Sequence, residues 1–114
     1  MTGDDYVPDA GDLVWLDFNP ALGHEQGGRW PALVVSPRAL AEATGFCIVC
    51  PITSNVRPFP TSVVLPDHLP VTGEILLHQM RSIDMKARHV RHAGAVGAET
   101  AAEARRKLAA LITI

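Results

Sequence analysis

Short apolar runs bounded by proline, glycine, asparagine or aspartate constrain the fold of this 114-residue chain more than any other feature. The runs are rich in β-branched and aromatic residues, which is typical of strands joined by tight turns. They cover residues 13–18, 32–36, 47–53 and 62–65, and the pattern continues over 74–84 and 89–96. The spacing predicts a compact antiparallel sheet.

From residue 98 onward the sequence is filled with Ala, Glu, Arg and Lys, and its apolar residues fall near helical spacing. This texture predicts a C-terminal helix. The whole chain is therefore expected to be mainly β with a C-terminal helix, in the form of a small curved sheet or a partly open barrel. Prolines around the middle strands, among them Pro51, cannot donate ladder hydrogen bonds and are expected to blunt edges and shape loops.

Composition is consistent with one domain over residues 1–114, because 47% of the residues are hydrophobic and 19% are charged, with no linker-like segment. No apolar run approaches the ~20 residues that span a bilayer. The N-terminus also lacks the basic and apolar regions of a secretory signal. We therefore expect a cytoplasmic protein that does not associate with a membrane.

Cys47 and Cys50 have the C-x-x-C spacing of some metal and redox sites. In a strand, however, that odd spacing directs the two sulfurs to opposite faces, so they cannot share a disulfide or a metal ion without a bend. We expect two buried structural thiols and no metal site.

The net charge of −2 gives no indication of nucleic-acid binding by the chain as a whole. Positive charge is nevertheless concentrated at Arg81, Lys86, Arg88, Arg91 and residues 105–107. Two interpretations stay open, a local basic surface or scattered solvated charge.

A glycine-rich loop before the second strand carries the chemically richest group of side chains. His24, Glu25, Gln26 and Arg29 place an imidazole, a carboxylate, an amide and a guanidinium within six positions. Glycines around them allow sharp bends, and the following strand anchors one end of the loop. This loop is the first candidate for a functional site.

Four separated motifs carry a resemblance to a known family. They are YVPDAGDLVWLDFNP at 6–20, G-x-EQGG followed by PALVVSP between 23 and 37, CPITS at 50–54, and LLHQMRSID at 76–84 before the final helix. In order and spacing, these motifs resemble the MazF/PemK family of toxin endoribonucleases over nearly the whole chain.

The resemblance implies a homodimer with an SH3-like, CcdB-like barrel that cuts single-stranded messenger RNA at short motifs, without a metal or other cofactor. It further implies attack by the ribose 2′-OH, leaving a 2′,3′-cyclic phosphate and a 5′-hydroxyl, so that DNA binds without reacting. The implied partner is a MazE-like antitoxin whose tail folds onto the toxin and covers the RNA groove.

In-line attack by a 2′-OH needs a base, an acid for the departing 5′-oxygen, and donors for the charge on phosphorus. We assign charge stabilisation to Arg29 with Thr53, since an arginine forks two donors onto phosphate and a hydroxyl adds a third. Glu25 or His24 is expected to act as the base.

The sequence departs from the family at position 30, where Trp30 stands in place of the arginine that usually precedes Pro31. Arg29 lies one residue earlier, and a shift of one residue in an extended segment turns a side chain to the opposite face. Three outcomes stay open: the glycines before Arg29 let it swing back, Arg81 substitutes for it, or activity is weak.

The candidates for RNA contact lie in the glycine-rich loop, at position 30, in the loop after Thr53, and near residue 80. They are Gln26, Trp30, Ser54, Asn55, Arg57, Gln79 and Arg81. Trp30 is expected to stack on a base or to seal the barrel end, and Gln79 and Arg81 to contact RNA or a second subunit. Trp15 alternates with apolar neighbours and is interpreted as a core residue.

Two alternatives to a ribonuclease remain at this point. A CcdB-like toxin has the same fold and acts by binding a topoisomerase without catalysis. A nuclease-deficient relative, disabled by the change at Trp30, would keep only the antitoxin-binding surface. The Glu25-Gln26 and Pro51-Ile52-Thr53 motifs favour the nuclease.

Overall fold

The computed structural model describes residues 5–17 and 28–114. The strands are β1 (Asp12–Asp17), β2 (Arg29–Val34), β3 (Phe46–Thr53), β4 (Ser62–Val64), β5 (Glu74–Leu76), β6 (Arg81–Asp84) and β7 (Arg91–Ala95). The helices are α1 (Arg38–Thr44) and α2 (Ala98–Leu111). Among these described residues, no helix combines the length and the apolar character needed to cross a membrane.

In the described part of the chain, the strands form one antiparallel sheet in the order β4-β5-β3-β2-β1-β7, with β6 paired to β3. The sheet is not closed into a barrel. The prediction of a mainly β fold with a partly open sheet and a C-terminal helix is confirmed.

β3 is the central strand, and it changes its neighbour on one edge. Phe46–Val49 pair with β6, whereas Ile52 and Thr53 pair with β5. Pro51 lies at the change, and its missing N–H cannot support a ladder there. On the other edge, β3 pairs continuously with β2 from Val49 to Pro51.

The predicted element over residues 74–84 is interrupted. A 3₁₀ turn at Leu77–Gln79 separates β5 from β6, as β3 changes from one partner to the other. The short helix α1, which the sequence pattern did not predict, is followed by Gly45. That glycine has φ +78° and donates its N–H to the carbonyl of Ala41 at 2.9 Å. A glycine in the left-handed backbone region is a common way to end an α-helix.

Apolar residues fill both faces of the sheet. One cluster includes Leu13, Leu33 and Cys50, with Ala104 of α2 packed against it. The other includes Val14, Val34 and Cys47. The two thiols thus point to opposite faces as predicted, and both are buried and free. Burial raises the pKa of Cys47 to about 11 and that of Cys50 to about 12.

Candidate nucleic-acid site

A cavity of about 610 Å³ opens where the start of β2 and the end of β3 meet the segment before β5. Trp15 and Trp30 line it from β1 and β2, Thr53 and Ser54 line it from the end of β3, and Gln79 lines it from the 3₁₀ turn. The cavity is therefore lined by two tryptophans together with residues that carry hydroxyl and amide groups. This mixture suits a ligand with both flat rings and oxygen atoms.

The strand register decides which face each side chain of β2 occupies. Arg29 is opposite Asp17 and Pro31 is opposite Trp15, while Trp30 is opposite Leu16. Successive side chains in a strand point to opposite faces. Arg29 and Trp15 therefore share one face, and Trp30 projects from the other.

The guanidinium of Arg29 stacks on the ring of Trp15. Its guanidinium carbon lies 5.7 Å from the centroid of the Trp15 ring, within the range of a cation–π contact worth ~0.5–1 kcal/mol at an exposed site. Arg29 is exposed and stacks on a residue of the cavity wall, so its charge is accessible to a ligand beside Trp15.

Thr53 ends β3 with its hydroxyl group in an oriented position. Its Oγ1 accepts a hydrogen bond from the backbone N–H of Asn55 at 3.1 Å. A hydroxyl donates one proton and accepts at two lone pairs. The hydroxyl proton of Thr53 is not consumed by this contact and can be donated to a ligand oxygen.

Trp30 also borders a second, smaller cavity of about 230 Å³. Arg81 and Arg88 line this cavity together with Trp30, Pro31 and Pro51. Arg81 lies two residues before Ile83, which packs in the same cluster as Ala32, the next residue on the Trp30 face of β2. Arg81 thus lies on the face of Trp30, opposite to that of Arg29.

The loop after Thr53 is tied to a buried carboxylate. Glu74 pairs with Thr53 in the sheet and is 1% exposed. It accepts hydrogen bonds from the backbone N–H of Arg57 at 2.6 Å and from the hydroxyl of Ser62. These bonds, that of Ser62 above all, lower the pKa of the Glu74 carboxyl.

Comparison with known proteins assigns the chain to a family. A protein-family model described as "PemK-like, MazF-like toxin of type II toxin-antitoxin system" matches residues 9–112. The chain belongs to this PemK/MazF toxin family. The description of that family is a toxin of a type II toxin–antitoxin system.

Relatives of known activity agree with this assignment. The chain is 42% identical over 94 residues to the endoribonuclease toxin MazF of Escherichia coli K12, covering 82% of this chain and 84% of MazF. It is 37% identical over 107 residues to the endoribonuclease toxin ChpB of the same strain, covering 90% and 91% of the two chains. These names favour the nuclease over the CcdB-like alternative.

Solved structures of the PemK/MazF family have the same fold. MazF from Deinococcus radiodurans superimposes with a TM-score of 0.82 at 50% identity, covering 94% of this chain and 97% of that one. A MazE–MazF complex from the same organism superimposes with a TM-score of 0.83 at 45% identity, covering 94% of this chain and 96% of that one. The mostly antiparallel sheet with a C-terminal helix therefore matches the fold of MazF structures.

In this PemK/MazF toxin, the structure brings together only part of the predicted site. Trp30, Thr53, Ser54 and Gln79 line one cavity. Arg81 lines the neighbouring one. Asn55 and Arg57 lie in the loop between β3 and β4, and Arg29 stacks on Trp15. His24, Glu25 and Gln26 lie outside the described residues.

Three residues of the site were not among the sequence candidates. Trp15, interpreted as core, is half-buried, packs against the first cluster and also forms part of the cavity wall. Arg88 lines the smaller cavity, and Glu74 holds the loop after Thr53. The position of Trp15 in β1 could have indicated its role, because pairing of β1 with β2 brings it next to Arg29.

Proposed function

We propose that this toxin cleaves single-stranded messenger RNA at short sequence motifs, without a metal ion, by attack of a ribose 2′-OH on the adjacent phosphate. The observation that carries the proposal is the cavity that Thr53 lines together with two tryptophans, with Arg29 stacked on Trp15 and Arg81 beside Trp30 in the neighbouring cavity. Such a cavity can hold bases and a phosphate at the same time.

The tryptophans supply a binding surface for unpaired bases. Trp30 is 39% exposed and Trp15 is half-buried, and both residues line the cavity. Stacking of a base on an aromatic side chain contributes ~1–3 kcal/mol. Bases within a duplex are already stacked on each other, which favours a single-stranded substrate.

The reaction is a transesterification followed by release of the 5′-product. The 2′-oxygen forms a bond to phosphorus, its proton passes to a base, and the bond from phosphorus to the 5′-oxygen breaks as that oxygen takes a proton. The products are a 2′,3′-cyclic phosphate and a 5′-hydroxyl. We assign the base to Glu25 or His24, and donation to the phosphorane oxygens to Thr53 with an arginine.

Two arginines compete for the stabilising role. Arg29 is adjacent to the cavity through its contact with Trp15, and it is our first choice. Arg81 projects on the face of Trp30, the position at which the family carries its arginine, and it is the substitute. Either residue can present two donors to a phosphate.

The test is cleavage of a long, structure-poor RNA in excess EDTA by the purified toxin and by its Arg29→Ala and Arg81→Ala variants. We expect cuts at one short motif with cyclic phosphate ends, and loss of cutting in the Arg29 variant. If Arg29→Ala still cuts RNA and Arg81→Ala does not, the stabilising role belongs to Arg81. An RNA with a 2′-deoxy residue at the cut site is the matched control and should bind intact.

Absence of cutting by every version would overturn the ribonuclease proposal for this chain and indicate a nuclease-deficient family member. The antitoxin interaction would then be its remaining function. A topoisomerase inhibition assay on the same preparation separates this outcome from a CcdB-like activity.

We further propose that the toxin acts in the cytoplasm, as a homodimer, and is neutralised by a MazE-like antitoxin. A largely apolar cavity of about 450 Å³ runs along α2, with Met80, Leu108 and Ile112 among its lining residues. Such a surface at α2 suits a subunit contact. A monomer in light scattering at micromolar concentration would contradict the dimer, and an antitoxin tail that leaves RNA affinity unchanged would contradict a shared groove.

A further inference from the structure

The loop between β3 and β4, residues 54–61, follows Thr53 directly and carries three of the predicted RNA contacts, Ser54, Asn55 and Arg57. We call it the Thr53 loop. Its residues are mostly exposed, so little of its shape is set by apolar packing. Its conformation depends instead on hydrogen bonds to its backbone.

The hydrogen bonds to the amides of Arg57 and Phe59 lead to one buried side chain, Glu74. Glu74 accepts from the backbone N–H of Arg57 and from the hydroxyl of Ser62, and the same Ser62 oxygen accepts from the backbone N–H of Phe59 at 3.1 Å. Glu74 thus fixes the middle of the loop directly and its end through Ser62.

The anchor itself is rigid. The backbone of Glu74 pairs with Thr53, and Ser62 pairs with Leu76 on the other side of β5. The preceding Gly73 has φ +125°, and a Cβ there would lie 2.3 Å from the carbonyl oxygen of Thr53. Only glycine permits this close approach of β5 to the end of β3.

From this geometry we propose that Glu74 is a positioning residue that sets the shape of the Thr53 loop, and through it the RNA motif that the toxin selects. The inference rests on the proposed ribonuclease function. Glu74 is buried and reaches the RNA only through the loop it holds, so its loss should affect recognition more than the chemical step.

The decisive variants are Glu74→Ala and Glu74→Gln. Alanine leaves the Arg57 amide without its acceptor. In the glutamine variant, the amide oxygen still accepts from Arg57 and the amide nitrogen donates to Ser62. The hydroxyl of Ser62 can then turn to the carbonyl oxygen of Phe59, 3.0 Å away. Glutamine should therefore rescue the loop.

We expect Glu74→Ala to raise KM roughly tenfold or more and to cut at additional motifs, with kcat nearly unchanged. Glu74→Gln should retain the KM and the motif of the parent. Glu42→Ala is the matched control, because Glu42 is an exposed carboxylate on α1 that pairs with Arg38. Sequencing of RNA ends from a mixed RNA pool gives the motifs.

Hydrogen exchange of the Arg57 and Phe59 amides supplies a readout independent of cleavage. Faster exchange in Glu74→Ala, restored in Glu74→Gln, is the expected result. If Glu74→Ala does not fold, Ser62→Ala tests the same anchor by removing the acceptor of the Phe59 amide. An unchanged motif and KM in a folded anchor variant with a mobile loop would overturn the inference.

The same data distinguish a wrong proposal for Glu74 from a wrong proposal for the ribonuclease function. If the parent toxin cuts no RNA, the ribonuclease proposal fails, whatever the exchange rates show. If the parent cuts at one motif and the Glu74→Ala variant cuts at that motif with the same KM, only the role of Glu74 is refuted.

Discussion

The guanidinium of Arg29 lies 5.7 Å from the centre of the Trp15 ring, on the face of β2 opposite to Trp30. This contact holds the charge of Arg29 beside Trp15, which lines the larger cavity. The two residues therefore form a unit, and whether the unit takes part in cleavage can be measured.

A double-mutant cycle tests that unit. If Trp15 orients Arg29 for the phosphate, Trp15→Leu should lower kcat/KM roughly tenfold, and the double variant with Arg29→Ala should be little worse than Arg29→Ala alone. Steady-state cleavage of a short fluorescent RNA gives the values. Additive losses would mean that the two side chains act separately, with Trp15 contributing through stacking.

The substitution Trp30→Arg places a guanidinium on the face of the sheet to which Arg81 of β6 also projects. If charge stabilisation limits the reaction, cleavage at saturating RNA should accelerate roughly tenfold or more, because a single donor to a developing charge is worth about 10²–10³ in kcat in other enzymes. Trp30→Leu is the control for loss of the ring. Equal rates in both variants would exclude a role for charge at position 30.

The hydroxyl of Thr53 is expected to act on the chemical step. Thr53→Val keeps the branched shape but removes the donor, and we expect kcat to fall roughly 10²-fold with a small change in KM. Thr53→Ser should retain most of the activity. Single-turnover cleavage separates the chemical step from product release. If Thr53→Val has the kcat of the parent, Thr53 has no role in the mechanism.

Acid stability should report the state of Glu74. Its lowered pKa means that its contribution to stability is fully present above the ordinary carboxyl pKa of about 4.3 and is lost as pH falls through the folded value. The nearby His78 also favours the anion, and Lys107 of α2 donates to the Ser62 carbonyl at 2.8 Å. Urea unfolding between pH 7 and pH 3 gives the free energy of unfolding at each pH. This free energy should fall less steeply with decreasing pH in Glu74→Gln than in the parent. An equal fall in both proteins would contradict the assignment.

Local patterns predicted the strands well, because alternation and turn residues act over a few positions. The opposite orientation of Cys47 and Cys50 followed from the same alternation. The break between β5 and β6 was not predicted, since the apolar pattern of 74–84 runs through the turn at Leu77–Gln79. That break depends on which edge of β3 each half meets, and no local signal encodes it.

The site was predicted less completely, since its residues meet through pairing between distant strands. Thr53 and Trp30 were found from motifs, and both border the same cavity. The contact of Arg29 with Trp15 depends on the register of β1 and β2. Glu74 was missed because a carboxylate in a strand is expected to face water, and its burial makes sense only with the Arg57 amide and Ser62 in place.

The two cysteines bear on how this toxin responds to oxidants. Only a thiolate reacts readily with peroxide or exchanges with a disulfide, and burial keeps both sulfurs protonated at neutral pH. Oxidative stress should therefore leave the folded toxin chemically unaltered at these positions. Any covalent dimer seen on a non-reducing gel would then report unfolded material, and subunit association can be measured without added reductant.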